Sequence, residues 1–359
     1  MKKISILTTN NMKSKMYFFP LRLHAKKLNE SGLSFKYFYK INPEIFDGDQ
    51  IVLDQKFSRH YWQGRKEEMF KFFSKAKKSC QKLLWFDTTA STSVLEPEAL
   101  PFVDAYYKGL VLKDLNSYSK PFYSNRIFSD YYHKELSITD TKPPETSYVK
   151  SDKDIDKIKL SWNYSLAGHF GIQSRAYNRL RSIFPLPYFY SVKFFSPEKE
   201  RPVDISCRIA LDYGRETISY QRKEIRRLLQ ERYELDFSRL SLIKYIREIR
   251  NSKIVTCPFG WGEITYRDFE VIPCGAALMK PDIDHLETWP PLYIKDKTYI
   301  SHSWDLSDIG EKIEYYLENR RYTAIAQNAQ DLYQRYLYEK KGHDEFVERV
   351  LRIFDDRED

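Results

Sequence analysis

Short apolar runs of strand length, each followed by a stretch of helical pattern, constrain this chain more than any other feature. Lys3 to Thr8 reads as a buried strand, Tyr17 to Asn29 as a helix closed by Ser31-Gly32, and the Tyr- and Phe-rich Leu33 to Ile41 as a strand. Ile51 to Leu53 is another short strand, Lys66 to Ser79 a helix, and Lys82-Leu83-Leu84-Trp85-Phe86 a strand that stops at Asp87. Strand and helix in this alternation predict parallel βαβ units, because parallel strands need a crossover and the helix supplies it. Ligands in such sheets bind at the carboxyl ends of strands, which draws attention to the turn Asp87-Thr88-Thr89.

The alternation then breaks and begins again. Residues 134 to 157 are polar, carry Pro143-Pro144 and read as a long surface loop; Lys157 to Arg181 has helical character. A Pro- and aromatic-rich passage from Phe184 to Pro202 has no helical period and is the expected connection between two domains. Beyond it come a strand (Val203 to Ala210), helices (Thr217 to Arg232 and Ser238 to Arg250), a strand (Lys253 to Cys257), a helix (Ile264 to Ile272) and a strand (Ala276 to Met279). Ser307 to Glu318 is amphipathic, and helices follow at Tyr322 to Lys340 and Asp344 to Phe354. The expected fold is α/β: two facing Rossmann-like domains, with C-terminal helices packing back across the cleft. Residues 1–185 form the acceptor-side domain in this reading and 186–340 the nucleotide-binding domain. Residues 341–359 form a helix returning toward the first.

Composition narrows the class further. With 28 Tyr, 23 Phe and 6 Trp the chain has too much to bury to be disordered. The net charge of +9 favours an anionic partner, but acidic residues interleave throughout, which argues against a nucleic-acid binder. Cys80, Cys207, Cys257 and Cys274 lie far apart without metal-ligand or disulfide-framework spacing, and are expected to be reduced thiols. The apolar run after Met1-Lys2-Lys3 is too short for a signal peptide, and the protein is expected in the cytoplasm.

The chemistry concentrates in Cys257-Pro258-Phe259-Gly260-Trp261-Gly262-Glu263-Ile264-Thr265-Tyr266-Arg267-Asp268-Phe269-Glu270. A strand runs here into a turn containing Pro258, Gly260 and Gly262, and the turn opens a helix whose first N–H groups suit an anion. Arg267 could add a guanidinium to a phosphate. Glu270, three residues on, shares its face and could accept hydrogen bonds from sugar hydroxyls. Spacing alone fits equally a Gly-containing connection with an exposed Arg–Asp–Glu face, which is the commoner meaning of such a pattern.

Taken with Lys280-Pro281-Asp282, His285, Thr288-Trp289-Pro290, Tyr299 and Trp304-Asp305, this stretch resembles the donor-binding half of GT-B glycosyltransferases. The likeness is to bacterial polysaccharide transferases, CgeB-like proteins and exostosin-like domains. The resemblance implies a donor site made by Gly260, Trp261, Gly262, Glu263, Arg267, Glu270 and Lys280, with Glu270 on the ribose and Arg267 on the diphosphate or sugar. It implies basic residues early in the donor domain, here Arg208 and Arg215, on the diphosphate, and it places His285 near the transferred sugar. Glu263 and Glu270 are seven positions apart, not the eight usual in retaining members, so an inverting displacement is expected. Asp87, at the end of its strand, is the candidate general base, and a helix-capping Asp is the equal alternative. Asp104, Lys108, Lys113, Asp114, Arg126 and Asp130 are acceptor-pocket candidates, with a solvated loop network the default for each.

The resemblance thus implies a glycosyltransferase that takes a nucleotide sugar as co-substrate, without metal or other cofactor. Its acceptor would be a glycan or lipid-linked saccharide of bacterial surface polysaccharide, reached with peripheral membrane association. The rival readings are a nucleotide-sugar-binding protein without catalysis and a nucleic-acid-binding α/β protein.

Overall fold

The computed structural model describes residues 1–62, 64–167 and 192–355. The first half contains β1 (Lys2–Leu7), the short helices α1 (Met12–Tyr17), α2 (Phe19–Leu23) and α3 (Ala25–Glu30), then β2 (Leu33–Phe38) and β3 (Gln50–Asp54). Next come α4 (Gln55–Trp62), α5 (Lys66–Ser79), β4 (Lys82–Asp87), β5 (Ala105–Lys108), β6 (Leu110–Leu112), α6 (Ile127–Leu136), α7 (Asp152–Ile155) and β7 (Ile158–Leu160). Six strands form one sheet in the order β2-β1-β3-β4-β5-β7, and every pairing in it is parallel. All five residues of β3 are buried, as expected of a strand covered on both faces. On α5, Met69, Phe72, Phe73 and Ala76 bury one stripe, and Glu67, Glu68 at its start and Lys77, Lys78 at its end complement the helix dipole.

The second half contains β8 (Val203–Ser206), α8 (Glu216–Gln230), α9 (Leu242–Asn251), β9 (Ser252–Thr256), α10 (Tyr266–Cys274), β10 (Ala277–Pro281), β11 (Leu286–Thr288) and β12 (Ile300–His302). Helices α11 (Ile309–Leu317), α12 (Tyr322–Tyr338) and α13 (Lys340–Asp355) follow. Its sheet runs β12-β10-β9-β8, again wholly parallel. Helix α10 stops at Gly275, whose φ of 75° is left-handed, and a Cβ there would lie 2.3 Å from the Phe195 carbonyl oxygen.

Two parallel sheets with helical crossovers are the α/β architecture expected from the alternating pattern. The two halves are also stitched together. β6 and β11 pair antiparallel as a separate ribbon, so one strand from each half makes it. The largest apolar cluster is continuous from Ile4, Phe86 and Trp162 to Val255, Phe269 and Leu278. Helix α13 packs on the first half, where Phe354 meets Phe35 and Phe86 and its carbonyl accepts hydrogen bonds from Lys2 Nζ and Gln50 Nε2.

Three sequence expectations need correction, and the first is the single helix over Tyr17 to Asn29, which is broken into α1, α2 and α3. The helix expected over Lys157 to Arg181 begins instead as strand β7 and a 3-10 turn at Tyr164–Leu166. The rest of that stretch, like residues 184–191 of the expected connection, lies outside the described residues. The strand expected over Val203 to Ala210 ends at Ser206, after which Arg208 turns away from the sheet onto carboxylates.

Candidate functional site

At the carboxyl ends of β8 and β9 lies a cavity of about 740 Å³ lined by Arg208, Arg222, Phe237, Tyr245, Arg267 and Glu270, among others. Arg267 and Glu270 sit one turn apart on α10, so the helical spacing brings both onto the wall. Arg267 donates one Nη2 hydrogen bond to the Arg208 carbonyl, and its guanidinium stands 5.8 Å from the Tyr245 ring. Its other terminal nitrogen, Nη1, is buried and has no hydrogen-bond partner among the described residues. Glu270 and Tyr245 hydrogen-bond across the cavity. Arg208 is already committed: its Nε and Nη2 grip Glu248 at 2.9 and 2.6 Å, and Nη1 reaches Asp236 at 3.1 Å. Those hydrogen bonds to Glu248 raise its pKa, so it acts as a rigid, permanently charged wall.

A second cavity, about 860 Å³, lies between the halves and meets the first at Tyr213, Thr265 and Tyr266. Gly260, Trp261, Gly262 and Arg215 line it from the second half. The first half contributes Lys13, Lys56, Arg59, Thr88, Thr89, Glu96 and Arg126. The Trp261 side of this cleft is exposed, at 47%, and its ring is flanked by the guanidinium of Arg126 at 5.3 Å and that of Arg215 at 5.2 Å. Arg126 donates to the Trp261 carbonyl at 3.2 Å; burial, and then the charge of Arg215, pull its pKa down to about 10. No side chain caps the N-terminus of α10, whose flanking Thr265 and first residue Tyr266 lie where the two cavities join.

Gly262 is demanded by sterics. A Cβ there would fall 1.7 Å from the Ala90 carbonyl oxygen, so the turn of the second half lies directly on the 88–94 turn of the first. Glu263, next to it, is wholly buried; its Oε2 accepts the Thr92 N–H at 2.9 Å and its Oε1 lies 3.6 Å from His285 Nε2. Burial pushes the Glu263 carboxyl up, but His285 and the Thr92 N–H outweigh it and hold it below the usual carboxylate range.

The expected residues therefore separate into two groups. Arg208, Arg215, Gly260, Trp261, Gly262, Arg267 and Glu270 reach the cavities, Arg208 with its guanidinium already paired. Asp87, Glu263, Lys280 and His285 line neither cavity. Asp87, expected as general base, is instead spent on an internal pair: Lys108 Nζ and the Tyr106 hydroxyl each donate to Oδ2 at 2.8 Å, and the Thr89 N–H to Oδ1 at 2.7 Å. Lys280, expected at the donor, pairs with Asp268, and both are completely buried. His285, expected near the sugar, packs edge-on against Trp304 behind the Glu263 carboxylate. Of the acceptor-pocket candidates, Arg126 alone lines the cleft; Asp104 accepts the Leu83 N–H, Asp114 starts a 3-10 turn and Asp130 pairs with Lys134.

Sequence reading missed Glu96, which lines the cleft and accepts a hydrogen bond from Gln55 at 3.4 Å. Burial, then the charge of Asp87, raise its pKa. It missed Lys13, Lys56 and Arg59 as well. A strand end followed by Lys or Arg was the available signal at Asp54-Gln55-Lys56. Among the described residues, no group of three or more His, Cys, Asp or Glu side chains is placed to hold a metal ion. Among the same residues, no helix is long and apolar enough to cross a membrane.

No protein-family profile matches the chain, and no curated protein matches it. Solved structures do align along its length. Sucrose-phosphate synthase from Thermosynechococcus elongatus aligns with a TM-score of 0.46 at 10% identity, over 99% of this chain and 100% of its own. A glycosyltransferase from Rickettsia africae aligns with 0.45 at 9% identity, over 99% of each chain. An alpha-glucosyltransferase in complex with UDP aligns with 0.39 at 10% identity, over 97% of this chain and 100% of its own. At such scores and identities the fold rests on the sheet topology described above.

Proposed function

We propose that the protein is a GT-B glycosyltransferase that moves a sugar from a nucleotide donor to an acceptor held between the two halves. The observation that carries this reading is the cavity at the carboxyl ends of β8 and β9, with Arg267 and Glu270 on one wall, opening into the interdomain cleft. It has the position in which open parallel sheets bind nucleotides. Glu270 is suited to accept hydrogen bonds from ribose hydroxyls. The diphosphate would lie at the junction, near the α10 N-terminus, Arg215 and Arg126, where departing negative charge is stabilised by fixed donors. The sugar would then project past Trp261, whose exposed ring offers a flat apolar face to sugar C–H groups.

Glu96 is the proposed base for the acceptor hydroxyl in an inverting displacement. It lies on the cleft wall, and a carboxyl with a raised pKa is a stronger base than an ordinary one once ionised. This assignment replaces Asp87. Fixed cations and the helix dipole let the leaving group depart without metal. Assembly of bacterial surface polysaccharide, of the CgeB-like or exostosin-like kind, in the cytoplasm at the membrane surface, is the setting that fits the sequence resemblance.

The test is calorimetric titration of the chain with UDP, GDP and CMP, and of Glu270→Ala with whichever binds. A loss of about tenfold or more is expected, as for a charged hydrogen-bond acceptor. Unchanged affinity in a folded variant would sink the assignment. Glu96→Gln should leave nucleotide binding intact and lower kcat by about 10²–10⁴.

A further inference from the structure

The cleft is basic on the side away from the proposed donor. Lys13 comes from α1, just after β1; Lys56 and Arg59 come from α4, just after β3; and β1 and β3 are adjacent strands. All three side chains line the same cleft. None of the three side chains makes an ion pair or hydrogen bond among the described residues. Lys66, on the same wall, is neutralised instead by Glu98 at 2.7 Å. The acid nearest in sequence, Asp54, is wholly buried and takes its hydrogen bonds from Thr8, Ser14 and the Lys56 N–H. Glu96 lies on the same wall, where its carboxyl accepts from Gln55.

Asp87 and Asp54 act on Lys56, and Glu96 feels Arg59, only from beyond ion-pair distance, so an anion placed among the three cations gains direct contacts that no carboxylate of the described residues supplies. Burial, then the charge of Lys13, lower the pKa of Lys56, with Arg59 adding to the effect. A carboxylate would use one or two such donors. Three donors from two chain segments match the three terminal oxygens and near-double charge of a phosphate.

We infer that Lys13, Lys56 and Arg59 form a phosphate subsite, and that the acceptor carries a phosphate group. The inference rests on the reading of the opposite cavity as the donor site, since the donor's own diphosphate is assigned there. The phosphate could belong to a soluble sugar phosphate or to a lipid headgroup.

The experiment titrates the full chain with inorganic phosphate, alone and with a saturating nucleoside diphosphate. It then repeats this with Lys13→Ala/Arg59→Ala, whose two side chains are exposed and whose loss leaves the core intact. Phosphate affinity should fall about tenfold or more in the double variant, and nucleotide affinity should stay within about twofold. Equal phosphate binding by wild type and variant, or none by wild type, overturns the subsite and leaves the donor reading standing. Phosphate binding that depends on Lys13 and Arg59 in a chain that binds no nucleotide upholds the subsite but overturns the donor reading and, with it, the assignment of the phosphate to an acceptor. Co-sedimentation with phosphatidylcholine vesicles doped with phosphatidic acid, lost in the double variant, assigns the phosphate to a lipid. Phosphate binding without co-sedimentation assigns it to a soluble acceptor, and either result upholds the subsite.

Discussion

Each half of the molecule hides an Asp–Lys pair behind its side of the cleft, and the two pairs are put to different use. In the first half, Asp87 and Lys108 end adjacent strands, with side chains 0% and 1% exposed, and Lys108 also donates to Thr89 Oγ1 and the Val94 carbonyl. That pair stretches the 88–94 turn across the end of its sheet. In the second half, Lys280 on β10 reaches Asp268 in the first turn of α10 and donates to the Glu263 carbonyl at 2.9 Å, while the Tyr293 hydroxyl donates to Asp268. This pair holds a helix by its N-terminus. The two anchored segments then meet, at Gly262 on Ala90 and Glu263 on Thr92. A buried ion pair is weak evidence of stability, because desolvation offsets most of the attraction; here each positions a loop.

The largest expected effect comes from breaking either pair. Lys108→Met and Lys280→Met should each cost about 3–5 kcal/mol in urea unfolding, because a buried carboxylate keeps its neutral donors but loses its balancing charge. The two should differ in binding: Lys280→Met loosens α10 and weakens nucleotide affinity, and Lys108→Met leaves it near wild type. Equal loss in both would break the comparison. Replacing the whole first pair, as Asp87→Leu/Lys108→Met, should restore most of that stability while leaving the 88–94 turn unanchored.

The halves can be compared through histidines of lowered pKa as well. His302 on β12 is held neutral, its pKa lowered by burial to about 4 from 6.5. The unfolded chain takes up a proton that the fold refuses, so stability falls as pH drops from 6.5 toward 4 and is level below that. The loss amounts to about 3 kcal/mol over that window, and His302→Gln should flatten it in thermal melts at stepped pH. In the first half His24, beside His343 of α13, is lowered to about 4 by burial and then by that neighbour's charge. His24→Gln should remove a second, independent portion of the same slope. Additive slopes would show that the two halves titrate separately.

Gly262→Ala should cost about 1–3 kcal/mol, since the added methyl must push Ala90 away. Its sharper reading is kinetic. If the meeting of the two turns sets the cleft, kcat/KM falls by more than the loss of stability accounts for.

The alternation of strands and helices was readable because whole crossovers repeat, and the Lys66–Ser79 helix has the bounds expected. What failed did so for want of local signal. β5 and β6 lie in a Tyr-rich stretch without alternation, and β7 has three residues, too few for any period. Missing β5 concealed that Lys108, read as an acceptor-pocket candidate, stands beside Asp87 in register, so the carboxylate of Asp87 looked available for catalysis. Arg267 and Glu270 could be found because helical spacing puts them together. The basic cluster could not, because Lys13 and Lys56 are neighbours only once β1 and β3 pair.

The docking of α13 on the first sheet has a consequence for biosynthesis. Gln50 waits 304 residues for the Phe354 carbonyl to which it bonds, and Lys2 waits 352. Until that helix is translated, Phe35 and Phe86 lack their Phe354 partner, and the first half must leave the ribosome with an apolar face uncovered. A nascent chain stalled between α12 and α13 is therefore where a chaperone's hold on this protein should be strongest.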